Sequence, residues 1–232
     1  MSDNSSEKFL RPIRSFVLRT GRLTNAQQKA LDNHWDKYGI DFSDELLDFQ
    51  AVFGNTNPVT LEIGFGNGES LLEMAINHPE RNFLGIEVHT PGVGHIIHGA
   101  QQAGISNLRV IRHDAIEVLN HQMPENSLDR VQLFFPDPWH KKRHHKRRIL
   151  QDDFVETIRK LLKEGCHFHM ATDWENYAVH MLETMSQHQG FANIAGNDSF
   201  VSAEGLRPKT KFERRGLKLG HGVWDMVYEK KG

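Results

Sequence analysis

The chain has 232 residues, of which 38% are hydrophobic and 25% are charged, a balance typical of a globular protein and not of a disordered one. No apolar run approaches the length of a membrane span, and the first residues lack the apolar core of a signal peptide. Cys166 is the single cysteine, which excludes an intrachain disulfide and a cysteine metal cluster. These features predict a cytoplasmic protein.

The net charge of −2 averages an uneven distribution. Residues 1–23 are basic and show little periodicity, so we interpret them as a mobile arm. Residues 24–57 include an acidic stretch and a helical lead-in that Thr24 is expected to cap. We expect residues 24–232 to form one domain. Within it, residues 141–148 hold six lysines and arginines, the densest cationic run of the chain and a candidate surface for a polyanion.

Beyond residue 58, short apolar runs alternate with amphipathic segments. The runs predict strands over residues 59–63, 83–87, 108–111, 131–135 and 167–172. The segments predict helices over residues 69–77, 92–103, 115–120, 149–163 and 174–188. This alternation is typical of an α/β fold, in which helices cover both faces of a doubly wound, mostly parallel sheet. Two further runs, 191–194 and 223–229, bring the predicted sheet to seven strands.

A glycine-rich turn with the spacing Gly-x-Gly-x-Gly follows the first of these strands, at Gly64, Gly66 and Gly68. The dinucleotide fingerprint is Gly-x-Gly-x-x-Gly, and Glu69 stands where its third glycine would fall. Glu62, just before the turn, adds a second negative charge. Carboxylates at a helix N-terminus compete with a pyrophosphate for the same donors, so a phosphate-bearing cofactor is disfavoured. S-adenosylmethionine, with an ammonium, a sulfonium and no phosphate, suits the site.

Acidic residues also end the next two strands. Glu87 closes the second strand, where a carboxylate can accept hydrogen bonds from both ribose hydroxyls. Asp114 follows the third strand and can accept a hydrogen bond from an adenine amino group, with the backbone of Ala115 nearby. Taken singly, each acid is better explained as a surface residue or a helix cap. Together with Glu62 they indicate an adenosine-bearing cofactor.

The fourth strand runs into Pro136-Asp137-Pro138-Trp139. The two prolines restrict the backbone around Asp137, and Trp139 offers a ring on which a base can stack. Methylation of a base at a ring nitrogen that carries no proton needs no general base, but the product ring is cationic. A fixed carboxylate at Asp137 can stabilise the developing charge.

The segment Phe-Phe-Pro-Asp-Pro-Trp-His-Lys-Lys-Arg-His-His-Lys-Arg-Arg, residues 134–148, resembles the signature of the bacterial single-chain tRNA (guanine-N7)-methyltransferases. Residues 61–68, 85–87, 113–115, 172–177, 210–213 and 220–222 resemble further motifs of that family. His140 stands where many members have proline. The resemblance implies the class I, Rossmann-like methyltransferase fold with an antiparallel last strand. It also implies methyl transfer from S-adenosylmethionine to N7 of a guanosine in the variable loop of tRNA.

The resemblance further implies roles for single residues. The cofactor would be held by Glu62, Gly64, Gly66, Gly68, Glu87, Asp114, Ala115 and Asp137, and Asp137 would also act at the reaction centre. Contacts to the substrate guanosine would come from Lys141, Asp173, Thr210, Lys211, Phe212 and Glu213. Contacts to the RNA backbone would come from Arg143, His144, His145, Lys146, Arg147 and Arg148. As a hydrogen-bond acceptor, either Asp173 or Glu213 can read the guanine N1–H and amino group.

Other readings of the sequence remain open. A methyltransferase acting on an exocyclic amine uses a similar turn with one more proline, and an RNA-binding module with the same fold would need no catalysis. A dehydrogenase is a more distant alternative. The chain has 15 histidines, but neither His167 and His169 nor the group at 140, 144 and 145 has the partners of a zinc site, so no metal is expected. The expected partner is tRNA, without a membrane or an obligate protein partner, and the enzyme is expected to be a monomer or homodimer.

Overall fold

The structure is a computed structural model that describes residues 16, 21–197, 199–208, 213 and 222–232. The predicted basic arm, residues 1–23, falls almost wholly outside this range. Of the predicted substrate contacts, Thr210, Lys211 and Phe212 also lie outside the described residues, so their roles stay predictions.

Seven α-helices and eight strands make up the described fold. The helices are α1 (Asn25–Tyr38), α2 (Phe49–Phe53), α3 (Glu69–Asn77), α4 (Thr90–Ala103), α5 (Ala115–His121), α6 (Asp152–Leu161) and α7 (Glu175–Ser186). The strands are β1 (Gly39–Ile40), β2 (Val59–Ile63), β3 (Asn82–Ile86), β4 (Leu108–Ile111), β5 (Leu128–Phe134), β6 (Leu162–Thr172), β7 (Phe191–Asn193) and β8 (Trp224–Lys230). A 3-10 helix covers Lys142–Arg147.

One sheet contains all eight strands in the order β1-β4-β3-β2-β5-β6-β8-β7. The strands from β1 to β6 pair in parallel, and β8 is antiparallel to both of its neighbours, β6 and β7. The predicted doubly wound sheet with an antiparallel last strand is confirmed. The eighth strand, β1, was not predicted, because two residues paired at the sheet edge are too few to show a periodic pattern.

The chain reverses its direction of winding at β2, which pairs with β3 on one side and β5 on the other. In open α/β sheets ligands bind at such a switch point, beyond the carboxyl ends of the strands. The residues that follow β2, β3, β4, β5 and β6 therefore share one edge of the sheet. All the predicted cofactor residues lie at this edge, and so does the turn over residues 136–139 that is predicted to be catalytic.

Helices cover both faces of the sheet, as the alternating pattern predicts. One apolar core is built from α1, α3 and α4 and includes the fully buried Tyr38, whose hydroxyl donates to the Ile105 carbonyl at 2.9 Å. The other core is built from α2, α5, α6 and α7. Every residue of β2 and β3 is buried, as expected of strands covered on both faces.

Helix boundaries follow local capping chemistry. Thr24 caps α1 as predicted: its side chain accepts from the Gln27 amide, and the Gln27 side chain accepts from the Thr24 amide, which completes a capping box. The predicted helix over 149–163 is shorter in the structure, because residues 149–151 precede α6 and β6 already begins at Leu162. Among the described residues, no helix is both long and apolar enough to cross a membrane.

Candidate active site

The glycine-rich turn between β2 and α3 has a backbone that only glycine adopts readily. Gly64, Gly66 and Gly68 have φ values of 72°, 61° and 76°. A Cβ built on Gly64 or Gly66 would meet no atom within 4 Å, whereas one on Gly68 would lie 2.5 Å from the Ile96 side chain. The turn therefore packs on α4 through Gly68 and leaves open space beside its first two glycines, where a cofactor can approach the backbone.

Helix α4 also packs against the glycine-rich turn at Gly92. A Cβ on Gly92 would lie 1.9 Å from the Gly66 carbonyl oxygen, so only glycine fits there. On the other side, the Gly66 amide donates to the Glu87 carboxylate at 2.8 Å. The turn is thus held between the first turn of α4 and the acid that follows β3.

Glu62 is the most perturbed acid of the site. Its residue is 4% exposed, and its Oε2 has no hydrogen-bond partner among the described residues. The pKa of Glu62 is raised from 4.5 to about 8, mainly by burial and in addition by the nearby Glu87 carboxylate, while the positive charge of Arg207 opposes the shift. A buried carboxyl with an unpartnered oxygen fits a ligand that brings a positive charge, such as the ammonium of S-adenosylmethionine.

Glu87 and Asp114 lie where the sequence predicts, at the ends of neighbouring strands. The Oε1 atom of Glu87 accepts from the Val88 and His89 amides at 2.7 and 3.0 Å, which orients the carboxylate. Asp114 caps α5 through Oδ1, which accepts from the Ile116 amide at 3.0 Å. The cap and the cofactor role are compatible, because a carboxylate has four lone pairs and this cap uses one.

These features together fit S-adenosylmethionine. The open backbone at Gly64 and Gly66 admits the cofactor, Glu62 can take its ammonium, Glu87 its ribose, and Asp114 with Ala115 its adenine. The acids at this edge also make the site unfavourable for a pyrophosphate. The dehydrogenase alternative therefore has no support in the geometry.

The turn that carries Asp137 has a strained backbone at both of its ends. Phe135 and Trp139 have φ values of 52° and 47°, which non-glycine residues adopt only when the surrounding structure holds them. The Phe135 amide donates to the Ala171 carbonyl at 2.8 Å and so continues the pairing with β6. Between these two residues, Asp137 is exposed at the carboxyl end of β5. The turn therefore presents the Asp137 carboxylate to solvent at the same sheet edge as the glycine-rich turn after β2.

Arg148 holds the turn from inside the protein. Its residue is 2% exposed, its Nε donates to the Pro138 carbonyl at 3.0 Å, and its guanidinium donates to the Asn176 side chain at 2.8 Å. The guanidinium also lies over the Tyr177 ring, 4.6 Å from its centre. This burial corrects the prediction that Arg148 belongs to the exposed RNA-facing run. The run of basic residues in the sequence does not distinguish the buried Arg148 from the basic residues before it.

The rest of the basic run forms the 3-10 helix beside the turn. Lys141, Lys142, Arg143 and Lys146 are exposed, and the guanidinium of Arg147 lies 3.9 Å from the centre of the Trp139 ring. The His144 and His145 pKa values are both lowered, by desolvation and by the surrounding cations, so these histidines add no charge near neutral pH. The positive charge of the surface therefore comes from lysine and arginine.

The two acids proposed to read guanine occupy different environments. Asp173 is half-buried and follows β6, whose Ala171 pairs with Phe134 of β5, so it lies at the same sheet edge as the catalytic turn. Glu213 is only 4% exposed, and its Oε2 accepts from the guanidinium of Arg207 at 2.5 Å. Asp173 thus lies beside the turn, whereas Glu213 is part of a buried ion network.

That network was not predicted from the sequence. Arg207 donates two hydrogen bonds of 2.7 Å to the Asp225 carboxylate, and the His169 ring lies 2.8 Å from the same carboxylate. Its residues come from β6, from β8 and from the segment between β7 and β8, and a lone arginine in a polar segment gives no signal of burial. The sequence offered one hint of a buried ion pair: Asp225 is an acidic residue within a mostly apolar predicted strand, and a buried acid needs a partner.

The histidines on β6 have ordinary partners. His169 bonds to Asp225, and His167 lies 3.8 Å from the Glu229 carboxylate. In the part of the chain that the structure describes, no three His, Cys, Asp or Glu side chains group as metal ligands would.

Comparison with known proteins bears on the family. A family model described as "Putative methyltransferase" matches residues 56–226. The chain is 61% identical to a tRNA (guanine-N(7)-)-methyltransferase of Vibrio cholerae serotype O1 over 224 residues, which cover 96% of this chain and 94% of the relative. A relative of the same name from Aeromonas hydrophila is 60% identical over 98% of this chain and 96% of its own length. The chain belongs to the tRNA (guanine-N7)-methyltransferase family.

The family inferred from the signature segment is thereby confirmed. Solved structures extend the likeness at the level of fold. The 16S rRNA methyltransferase KamB superposes with a TM-score of 0.60 over 81% of this chain and 95% of its own, at 15% identity. TrmN from Thermus thermophilus superposes with a TM-score of 0.51 at 20% identity, over 78% of this chain and 46% of its own. At such identities the likeness concerns the fold alone.

Proposed function

We propose that this member of the tRNA (guanine-N7)-methyltransferase family transfers the methyl group of S-adenosylmethionine to N7 of a guanosine in the variable loop of tRNA. The observation that carries the proposal is the position of Asp137. Its turn follows β5, which pairs directly with β2, the strand that leads into the cofactor loop. The relatives at about 60% identity carry the name of this activity.

The proposed reaction requires little proton transfer by the protein. The guanine N7 lone pair lies in the plane of the ring and carries no proton, so no general base is required. S-adenosylmethionine supplies an electrophilic methyl group on a sulfonium. The rigid turn holds the Asp137 carboxylate where it can stabilise the positive charge that develops on the guanine ring, and the fixed geometry aligns the reacting atoms.

Recognition of guanine is assigned to acceptors at the same edge. Guanine presents an N1–H and an amino group side by side, and a carboxylate can accept from both, whereas adenine lacks this pair of donors. Asp173 fits this role directly, since it is half-buried beside the turn. Glu213 fits it through the orientation that Arg207 imposes. The resemblance adds Lys141, Thr210, Lys211 and Phe212 as further substrate contacts.

The exposed cations of the 3-10 helix serve as the proposed RNA-binding surface. The exposed Arg143 and Lys146 and the half-buried Arg147 neutralise phosphates, with Lys142 beside them, while Arg148 fixes the turn and is left out of this surface. The family resemblance also places His144 and His145 in this surface, as neutral hydrogen-bonding groups. A structured RNA is recognised mainly through its shape and backbone, which suits such a surface. We place the protein in the cytoplasm with its tRNA substrate, as a monomer or homodimer without an obligate protein partner.

A tRNA transcript in which 7-deazaguanosine replaces guanosine tests the proposal. This base carries a C–H in place of N7 and keeps the exocyclic amine. The proposal expects N7-methylguanosine from the ordinary transcript and no methylation of the substituted one. Equal methylation of both transcripts would instead place the methyl group on an atom other than N7, such as the exocyclic amine. Binding of tRNA without any methyl transfer would identify an RNA-binding module.

A further inference from the structure

Gln132 lies in the middle of β5 with a fully buried side chain, although glutamine is mostly an exposed residue. Within the described part of the chain, its side chain makes one hydrogen bond, from Nε2 to the Met74 sulfur at 3.6 Å, and a thioether is a weak acceptor. Its Oε1 atom has no hydrogen-bond partner among the described residues. A buried amide that is so poorly satisfied costs free energy, so packing alone does not explain it.

Two further buried polar groups lie next to Gln132. Glu62 is its register partner on β2, so the two side chains project from the same face of adjacent strands that run about 5 Å apart. Ser70 lies one turn before Met74 on α3, on the same stripe of that helix. Neither Glu62 Oε2 nor Ser70 Oγ bonds to any group that the structure describes, and the Ser70 hydroxyl lacks the usual bond to the carbonyl four residues earlier. The first residues of α3 and the strands β2 and β5 thus enclose one buried polar cluster next to the glycine-rich turn.

The chemistry of this cluster suits a carboxyl group that changes its charge. In the cofactor-free protein Glu62 is largely neutral at neutral pH, since its pKa is raised to about 8, and its hydroxyl can donate to Gln132 Oε1. A cofactor ammonium favours the ionised form, which needs hydrogen-bond donors because it is buried. The Gln132 amide, turned about its last side-chain bond, and the Ser70 hydroxyl can supply these donors. A glutamine therefore serves both charge states of Glu62, since its amide both accepts and donates.

We propose that Gln132 is a positioning residue for the ammonium group of S-adenosylmethionine, which acts by hydrogen bonding to the Glu62 carboxyl group. The inference rests on the proposed function for the assignment of Glu62 to the ammonium, and it does not depend on which base is methylated. Gln132 lies outside every family motif matched in the sequence. Its buried, unpartnered oxygen and its register with Glu62 carry the assignment.

A set of two ligands separates this role from packing. S-adenosylhomocysteine keeps the ammonium of the cofactor, and in its deaminated analogue a hydrogen atom replaces that group. Calorimetric titration of the full-length enzyme without tRNA measures the affinity for each. Gln132→Met should weaken the binding of S-adenosylhomocysteine about tenfold, the usual effect of losing a hydrogen bond to a charged group, and leave the affinity for the analogue within about twofold. Equal losses for the two ligands, or no loss for either, would overturn the proposal.

The stability of the cofactor-free variant gives a second readout. Methionine has nearly the length of glutamine and no amide to satisfy, so Gln132→Met should leave the melting temperature unchanged or raise it. A purely structural glutamine would instead lower the melting temperature on replacement and weaken both ligands together. If Gln132→Met does not fold, Gln132→Leu takes its place. Gln122→Met is the matched control, because Gln122 is also buried with an unpartnered Oε1 but lies at the other end of α5 from Asp114, and both affinities should stay unchanged.

Glu62→Gln separates a failure of this inference from a failure of the assignment on which it rests. This variant should also weaken S-adenosylhomocysteine and spare the deaminated analogue. If it does so and Gln132→Met does not, Glu62 keeps the ammonium and Gln132 loses its role. If Glu62→Gln binds both ligands as the wild type does, Glu62 does not hold the ammonium and the inference falls with that assignment. The identity of the methylated nucleoside, measured separately on tRNA, decides the proposed function.

Discussion

The backbone amide of Gly66 donates a hydrogen bond of 2.8 Å to the carboxylate of Glu87. The bond joins the loop after β2 to the acid after β3, two positions 21 residues apart in the chain. Glu87 also accepts from the amides of Val88 and His89, so its carboxylate is fixed by three donors. The acid assigned to the ribose is therefore oriented by the same loop that admits the cofactor, and disturbance of that loop should weaken cofactor binding.

Gly92→Ala should abolish binding of S-adenosylmethionine. The added methyl group would lie 1.9 Å from the Gly66 carbonyl oxygen, so the cofactor loop must move away from α4. Gly99→Ala on the same helix is the matched control, because its methyl group would meet only the end of the flexible Leu72 side chain. Calorimetric titration of each variant with cofactor measures the effect. Equal affinity in the two variants would contradict the described packing of the loop.

Glu62 should make the stability of the cofactor-free enzyme depend on pH. Its pKa in the folded protein, about 8, lies above the ordinary value of 4.5, so between these values the folded state binds more protons than the unfolded state. Stability should therefore fall as pH rises from about 4.5 to 8, by on the order of a few kcal/mol. Glu62→Gln should flatten this dependence, measured as the melting temperature across the same pH range. An unchanged slope in the variant would place its origin elsewhere.

Cofactor binding should also be coupled to the ionisation of Glu62. A bound ammonium favours the ionised carboxylate, so below pH 8 the binding of S-adenosylmethionine should release a proton from Glu62. Calorimetry in buffers with different ionisation enthalpies measures the number of protons released. Binding without proton release, in the wild type at neutral pH, would remove Glu62 from the ammonium site.

Asp137→Ala should lower single-turnover methyl transfer at least about 100-fold, which is the usual cost of losing one group that stabilises charge in the transition state. The carboxylate is exposed on the turn and is not part of the protein core, so folding and tRNA affinity should change little. Asp36→Ala, at an exposed position of α1, is the control and should keep full turnover. Near-normal turnover of the Asp137 variant would remove this residue from the reaction centre.

The basic 3-10 helix should set the salt dependence of tRNA binding. Replacing Arg143 and Lys146 with alanine removes two exposed cations, and the slope of log affinity against log salt should become shallower by about 1 to 2. Lys160 and Lys231 are exposed near the opposite edge of the sheet, and their double alanine variant is the control. If both double variants give the same slope as the wild type, the 3-10 helix is a solvated surface without a role in binding.

The main elements of the fold could be predicted from the sequence because they follow local patterns. The strands over 59–63 and 108–111 and the helix over 69–77 have the predicted bounds, since a mostly apolar run or an amphipathic period marks each one. The two-residue strand β1 and the five-residue helix α2 are too short to show any period. Both elements form because of contacts with residues elsewhere in the chain, which the local sequence does not reveal.

The residues of the candidate site also fall into two groups, those that local sequence predicts and those that it does not. The positions of Glu62, Glu87, Asp114 and Asp137 could be predicted, because each lies at or just beyond the carboxyl end of a strand and the sheet topology fixes where these ends meet. Their roles stay predictions. The burial of Arg148 and Arg207 could not be predicted, because it depends on parts of the chain distant from each residue. Arg148 is covered by α7, and Arg207 by β8 and the end of β5. A basic residue looks the same in sequence whether it faces solvent or a buried carboxylate.

The central claim concerns which atom of which nucleotide receives the methyl group. N7-methylguanosine is cleaved selectively by borohydride reduction followed by aniline treatment, so the modified position in tRNA can be read as a strand break. Unmodified tRNA incubated with this enzyme and S-adenosylmethionine should break at a single guanosine of the variable loop, and tRNA treated with the Asp137→Ala variant should stay intact. Methyl incorporation without a strand break, or breaks outside the variable loop, would contradict the account.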